Sequence, residues 1–174
     1  MCSSDLIADL IHYRSRTESL VTRVSERDIE TVHGRFRMIA YTDRISGATH
    51  VALVKGTPAP DVEALVRVHE PLSVVDLLDV GSRRHSWNVH DAMRAVQAAD
   101  CGVIVLLHRP ESPAELLDRA RGDDAGGPAS TRMLLRNYGI GAQILRDLKV
   151  KRMKVLSRVR RMPSMMGFDL EVTR

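Results

Sequence analysis

Between Leu20 and Val68 the chain alternates. Apolar and polar positions trade places through Leu20–Val24, Ile29–Val32, Phe36–Tyr41, His50–Lys55 and Ala64–Val68, with His33-Gly34 and Ser46-Gly47 punctuating the runs. A period of two residues places one set of side chains on one face of a strand, and glycine pairs of this kind mark reversals. The pattern predicts a largely antiparallel sheet of about five short strands in the N-terminal half.

The rhythm changes after Asn88. Val89, Met93 and Val96 share one helical face while His90, Asp91, Arg94 and Gln97 share the other, and Asn88 is placed to accept a hydrogen bond from the amide of Asp91. Cys101–Leu107 is a continuous apolar run, as expected of a strand covered on both faces. Pro113–Arg121 predicts a short helix that opens on proline, and Gly122–Ser130 has the composition of a loop. Lys154–Ser157 predicts another strand, parallel to Cys101–Leu107 through a helical crossover. At the other end of the chain, Ser3-Ser4-Asp5 caps a predicted helix whose apolar pairs Leu6/Ile7 and Leu10/Ile11 run to Tyr13. The fold class is α/β, an antiparallel N-terminal sheet plus a mixed or parallel sheet flanked by helices.

Composition narrows this picture modestly. With 174 residues, 44% hydrophobic and 28% charged, the chain is long enough for one substantial core. Aromatic residues make up 3%, so that core must come from aliphatic side chains and eight methionines. Cys2 and Cys101 form no metal-binding or disulfide spacing, which suits a reducing compartment, and no stretch approaches the ~18 apolar residues of a membrane span. A cytoplasmic protein without membrane contact is expected. Net charge is +4, with Lys149, Lys151, Arg152, Lys154, Arg158, Arg160 and Arg161 crowded together. The cluster holds no base-stacking aromatic residue, so a solvated edge is favoured over nucleic-acid binding.

Four stretches carry a resemblance. Arg67-Val68-His69 heads one, His50-Val51-Ala52-Leu53-Val54-Lys55-Gly56 is a second, and Arg136-Asn137-Tyr138-Gly139-Ile140-Gly141-Ala142-Gln143-Ile144-Leu145-Arg146-Asp147-Leu148 is a third. Asp9-Leu10-Ile11-His12-Tyr13-Arg14-Ser15-Arg16-Thr17-Glu18 is the fourth. The first three resemble GTP cyclohydrolase II, the zinc enzyme that opens the guanine ring in riboflavin biosynthesis. The fourth is similar to the joint in fusions where a dihydroxybutanone phosphate synthase domain precedes the cyclohydrolase. Gly167–Val172 resembles the family's closing strand. The resemblance implies a linker helix over 1–19, a cyclohydrolase II-like domain over 20–174, a synthase domain in the same full-length chain and a homodimer.

The chain departs from the family where the chemistry lies. Aligned without gaps, the resemblance puts Leu72, Arg83 and His85 at the three zinc cysteines and Pro71 at a glutamate. Leucine has no lone pair to give, and arginine stays protonated. Arg109-Pro110-Glu111-Ser112-Pro113-Ala114 stands where the family has a glycine-rich triphosphate loop, and prolines there remove amide donors. Arg136 falls on a catalytic arginine, but Leu134 replaces its aspartate partner. Ser157 keeps a hydroxyl where the family has threonine. These changes imply that zinc is lost and that the domain is inactive on GTP, with Arg136 vestigial and a structural, dimerisation or ligand-sensing role left.

Arg67, His69, Asn88, Glu111, Arg136 and Ser157 match or mildly replace nucleotide-contacting positions, so weak affinity for GTP or another phosphorylated ligand is expected to outlast catalysis. The alternative is a divergent metal-dependent cyclohydrolase acting on GTP or another purine nucleotide, its ion held by His69, His85 and His90. Histidine spacing alone does not supply the fixed geometry that ligation needs. Ser82, His85 and Asp79 lack a nucleophile-elbow pattern, and Asp123-Asp124 sits in a glycine-rich loop where carboxylates usually stay solvated.

Overall fold

The computed structural model describes residues 18–70, 73–81, 85–108, 110–122, 131–157 and 169–173, with the side chains of 131–138 left aside. The helix expected near the N-terminus, Pro71, Leu72, Arg83 and Asp123-Asp124 lie outside the described residues.

Among the described residues seven strands form one sheet: β1 (Val21–Thr31), β2 (Gly34–Asp43), β3 (Thr49–Lys55), β4 (Glu63–His69), β5 (Gly102–Leu106), β6 (Arg152–Val155) and β7 (Glu171–Thr173). Their spatial order is β1-β2-β3-β5-β4-β6-β7. The helices are α1 (Val74–Leu78), α2 (Val89–Ala98), α3 (Pro113–Arg121) and α4 (Thr131–Asp147). The two expected sheets are therefore continuous. β1, β2, β3 and β5 pair antiparallel, whereas β4 lies parallel between β5 and β6, and β7 adds a parallel edge.

Three expectations change. Leu20–Val24 and Ile29–Val32 are not separate strands: all but Leu20 and Val32 belong to β1, whose register shifts between Arg23 and Ser25. An extra residue at such a bulge interrupts the alternation without ending the strand. Ala64–Val68, expected in the antiparallel group, is parallel to both its neighbours, because α1 and α2 intervene before β5 and carry the chain back to the starting edge. The last crossover strand runs as expected but pairs with β4, which separates it from β5.

The centre of the sheet is β5. Its five residues are all buried, and their alternation divides them between two cores. Val103 and Val105 join Ala52, Val54 and Val66 under Ile140, Ile144 and Leu145 of α4. Ile104 and Leu106 join Phe36 and Leu53 under Val89, Met93 and Val96 of α2. α2 and α4 thus cover opposite faces, which accounts for the unbroken apolar run.

Capping sets where the helices begin. The side-chain Oδ1 of Asn88 accepts from the Asp91 amide at 2.7 Å, as the sequence suggests. In α3, Ser112 and Glu115 form a reciprocal capping box, Pro113 occupies the first turn, and Gly122 ends the helix at φ 78°. Ser73 and Asp76 form a second box at the start of α1.

Candidate functional site at the ends of the parallel strands

Ligand crevices in open α/β sheets form beyond the carboxyl ends of parallel strands. Here that edge is made by the ends of β4, β5 and β6, tied by Leu107 N–H to His69 O at 2.9 Å and Leu156 N–H to Val66 O at 2.8 Å. Around it gather α1, α3 and the segment entering α2.

His69, the last residue of β4, has no solvent exposure. Its Nε2 lies 3.4 Å from Oδ2 of Asp76, and Nε2 of His85 lies 3.6 Å from Oδ1 of the same carboxylate. The two imidazole rings sit 4.1 Å apart between centroids. Asp76 is positioned by its capping role, since its Oδ2 also accepts the Ser73 amide at 3.0 Å. Arg119 of α3 approaches that oxygen at 3.9 Å and pairs with Glu111 at 2.5 Å, while Ser73 Oγ donates to Glu111 at 2.9 Å.

The electrostatics follow from this packing. Burial holds the His69 imidazole below its ordinary range, partly opposed by its hydrogen bond to Asp76, so the ring is neutral. Burial alone would raise the Asp76 carboxyl. The neighbouring imidazoles of His69 and His85 and the Ser73 amide together outweigh it and keep the group well below the usual carboxylate range. Nδ1 of His69 has no hydrogen-bond partner among the described residues.

The expected site residues fall into distinct situations. Arg67 is buried on β4 and donates to Leu156 O at 2.9 Å and Trp87 O at 3.2 Å. Asn88 is spent on its cap and donates to Val80 O and Asp91. Glu111 belongs to the Arg119 and Ser73 network. Ser157 follows β6 half-buried, its amide bonded to Val155 O. Arg136 lies on α4, and its side chain is outside the description.

The suggested trio of His69, His85 and His90 is corrected. His90 turns instead to His33, Nδ1 to Nε2 at 2.8 Å, and to Leu77 O at 3.0 Å. The hairpin turn between β1 and β2 brings His33 to α2, a partnership with no signal in the spacing. Asp76, not His90, completes the imidazole pair, and the donor atoms of His69, Asp76 and His85 lie within 4.8 Å of one another. Ser73 followed three residues later by an acidic residue was the legible sign that Asp76 turns inward.

The family's zinc can be tested against these residues. Its thiolate set is gone from the sequence. The imidazole–carboxylate set is a different donor set, and it fits a borderline divalent ion by ligand type and proximity.

A mixed sheet flanked by helices, with buried polar side chains gathered at its parallel strand ends, defines an α/β domain with a candidate site at that edge. The chain belongs to the GTP cyclohydrolase II family, whose model matches residues 22–174. It is 48% identical over 166 residues to a 3,4-dihydroxy-2-butanone 4-phosphate synthase of Neisseria meningitidis serogroup B, covering 95% of this chain and 45% of that protein. Similarity to the riboflavin biosynthesis protein RibBA of Parabacteroides distasonis is 34% over 161 residues, 87% of this chain and 40% of that protein. Among solved structures it matches RibBX, a two domain 3,4-dihydroxy-2-butanone 4-phosphate synthase from A. baumannii, with a TM-score of 0.64 and 34% identity over 95% of this chain and 43% of that one. The chain thus spans less than half the length of these relatives. No described helix is long and apolar enough to cross a membrane.

Proposed function

We propose that this domain does not open the guanine ring of GTP and serves as a non-catalytic part of a dihydroxybutanone phosphate synthase, packing beside the synthase domain and supporting its dimer. The observation that carries the reading is where the crevice residues spend their polar groups. Arg67 holds two backbone carbonyls, Asn88 caps α2, and Glu111 is bound by Arg119 and Ser73. A nucleotide would have to break these contacts to gain its own.

The phosphate loop supports the same reading. In this chain it forms the start of α3, where the Ser112 amide donates to Glu115 and the Glu115 amide to Ser112. Amides used within a capping box are not free to cradle phosphate. In the family, zinc supplies the Lewis acid that activates water. None of the three cysteines that hold it is present, and Leu134 stands in place of the aspartate that pairs with Arg136. Any nucleotide affinity left to Arg67, His69, Asn88, Glu111, Arg136 and Ser157 is weak.

The test is incubation of the purified protein with GTP, with chromatography for the ring-opened pyrimidine and equilibrium dialysis for binding. No product, and a dissociation constant above about 1 mM, are expected. Turnover refutes the proposal. The second reading, a divergent metal-dependent purine nucleotide cyclohydrolase, draws on His69, Asp76 and His85 and requires both bound metal and product. For the structural role, removing this domain from the full-length synthase is expected to weaken its dimer in sedimentation; an unchanged dimer refutes that part.

A further inference from the structure

We propose that His69, Asp76 and His85 bind a borderline divalent transition ion, of the class of Zn2+, Co2+ or Ni2+, through a donor set unrelated to the thiolates of the family. All three donor atoms lie within 4.8 Å of one another. A tetrahedral ion with bonds of about 2.0–2.1 Å holds its ligand atoms roughly 3.3 Å apart. Nε2 of His69 lies 3.4 Å from Oδ2 of Asp76 and Nε2 of His85 lies 3.6 Å from Oδ1, so each imidazole is already close to that spacing from one oxygen of the carboxylate. The remaining edge closes by a small swing of His85, the outermost of the three at 18% side-chain exposure.

Ligand chemistry selects the ion. Two imidazoles and one carboxylate suit zinc, cobalt and nickel, whereas magnesium and calcium prefer all-oxygen shells. His69 is fully buried at the end of β4, and it is its Nε2 that faces the Asp76 carboxylate. Asp76 is oriented in advance by the Ser73 amide, which does for this ligand what supporting hydrogen bonds do in established metal sites.

Neighbouring charges set the strength. Among the described residues, Arg119 lies 3.9 Å from Asp76 and pairs with Glu111, so a cation there shares the Asp76 carboxylate with a guanidinium. A dissociation constant on the order of 1–100 μM is expected, far weaker than a site of thiolates. This inference does not depend on the absence of GTP turnover. Metal binding with ring opening would uphold it and refute the preceding reading.

The experiment is titration of the chelator-treated protein with Co2+ alone, followed by its visible absorption, and competition with Zn2+ in calorimetry. One Co2+ per chain with intense tetrahedral absorption is expected, and equimolar Zn2+ should bleach it. His85→Ala, at the accessible edge, should weaken binding at least tenfold while circular dichroism stays unchanged; Asp76→Asn should do the same, and His90→Ala should have no effect. The proposal is overturned if Co2+ does not bind below 1 mM. It is equally overturned if binding survives intact in His85→Ala and Asp76→Asn, or disappears in His90→Ala.

Discussion

Arg67→Met separates a structural arginine from a nucleotide-binding one. Arg67 is buried, and its guanidinium joins the end of β6 at Leu156 O to the entry of α2 at Trp87 O. Hydrogen bonds from a charged donor contribute about 1.5–3 kcal/mol each. The Leu156 end is buried and loses most of that, while the less buried Trp87 carbonyl recovers part from water. The expected destabilisation is roughly 2–4 kcal/mol. Arg67→Lys keeps the charge but lacks the planar fork that reaches both carbonyls, and should cost about half as much.

Urea unfolding with and without GTP reads both roles. A site with a dissociation constant of about 0.1 mM would raise stability by roughly 1.4 kcal/mol at 1 mM GTP. No such increase is expected in the wild type, and a large loss is expected in the variants without ligand. If Arg67→Met unfolds within about 0.5 kcal/mol of wild type but abolishes a GTP-dependent increase, Arg67 is a ligand-binding residue and the account fails.

Three further outcomes are expected. Tyr41→Phe removes a 2.7 Å hydrogen bond to Asp147 that links β2 to the end of α4. Because Asp147 is partly exposed and keeps Arg23, the cost in urea should be about 1–2 kcal/mol, and a double-mutant cycle with Asp147→Asn should show coupling. Gly102→Ala would put a methyl group 2.8 Å from the Leu65 carbonyl oxygen and 2.8 Å from a Val96 methyl, so thermal unfolding should fall by roughly 5–10 °C; an unchanged melting temperature would contradict the close packing of α2 on β5. With chelator present, His69 should give stability a pH dependence. Its folded pKa lies below the ordinary 6.5, so the unfolded chain binds more protons and the contribution is complete above about pH 6.5 and lost as pH falls through the folded value. Urea midpoints that stay level from pH 7 to 5, or that match His69→Gln across that range, would show the ring is not held neutral.

Local chemistry was legible wherever a short stretch of chain satisfies itself. The Asn88 cap, the Pro113–Arg121 helix and the Cys101–Leu107 strand follow from groups only a few residues apart. Pairing direction was less so, since alternation in Ala64–Val68 states which faces are apolar and says nothing about which edge the chain returns to. The bulge in β1 misled for a related reason: one extra residue resets the alternation, and a continuous strand reads as two. At the candidate site, His69 and His85 were visible as residues of interest, but their grouping with Asp76 was not, because three separate elements meet there.

By its own residues the sequence determined the family framework and the aliphatic core, because these depend on which side chains exist and how they repeat. Only the tertiary structure decided that β4 lies between β5 and β6, that Arg67 and Glu111 are occupied by protein partners, and that Asp76 rather than His90 faces the two imidazoles. The physical reason is common to all three. Hydrogen bonds and ion pairs between distant elements form where packing of the two cores brings those elements together, and that distance is not encoded in the spacing of any one segment.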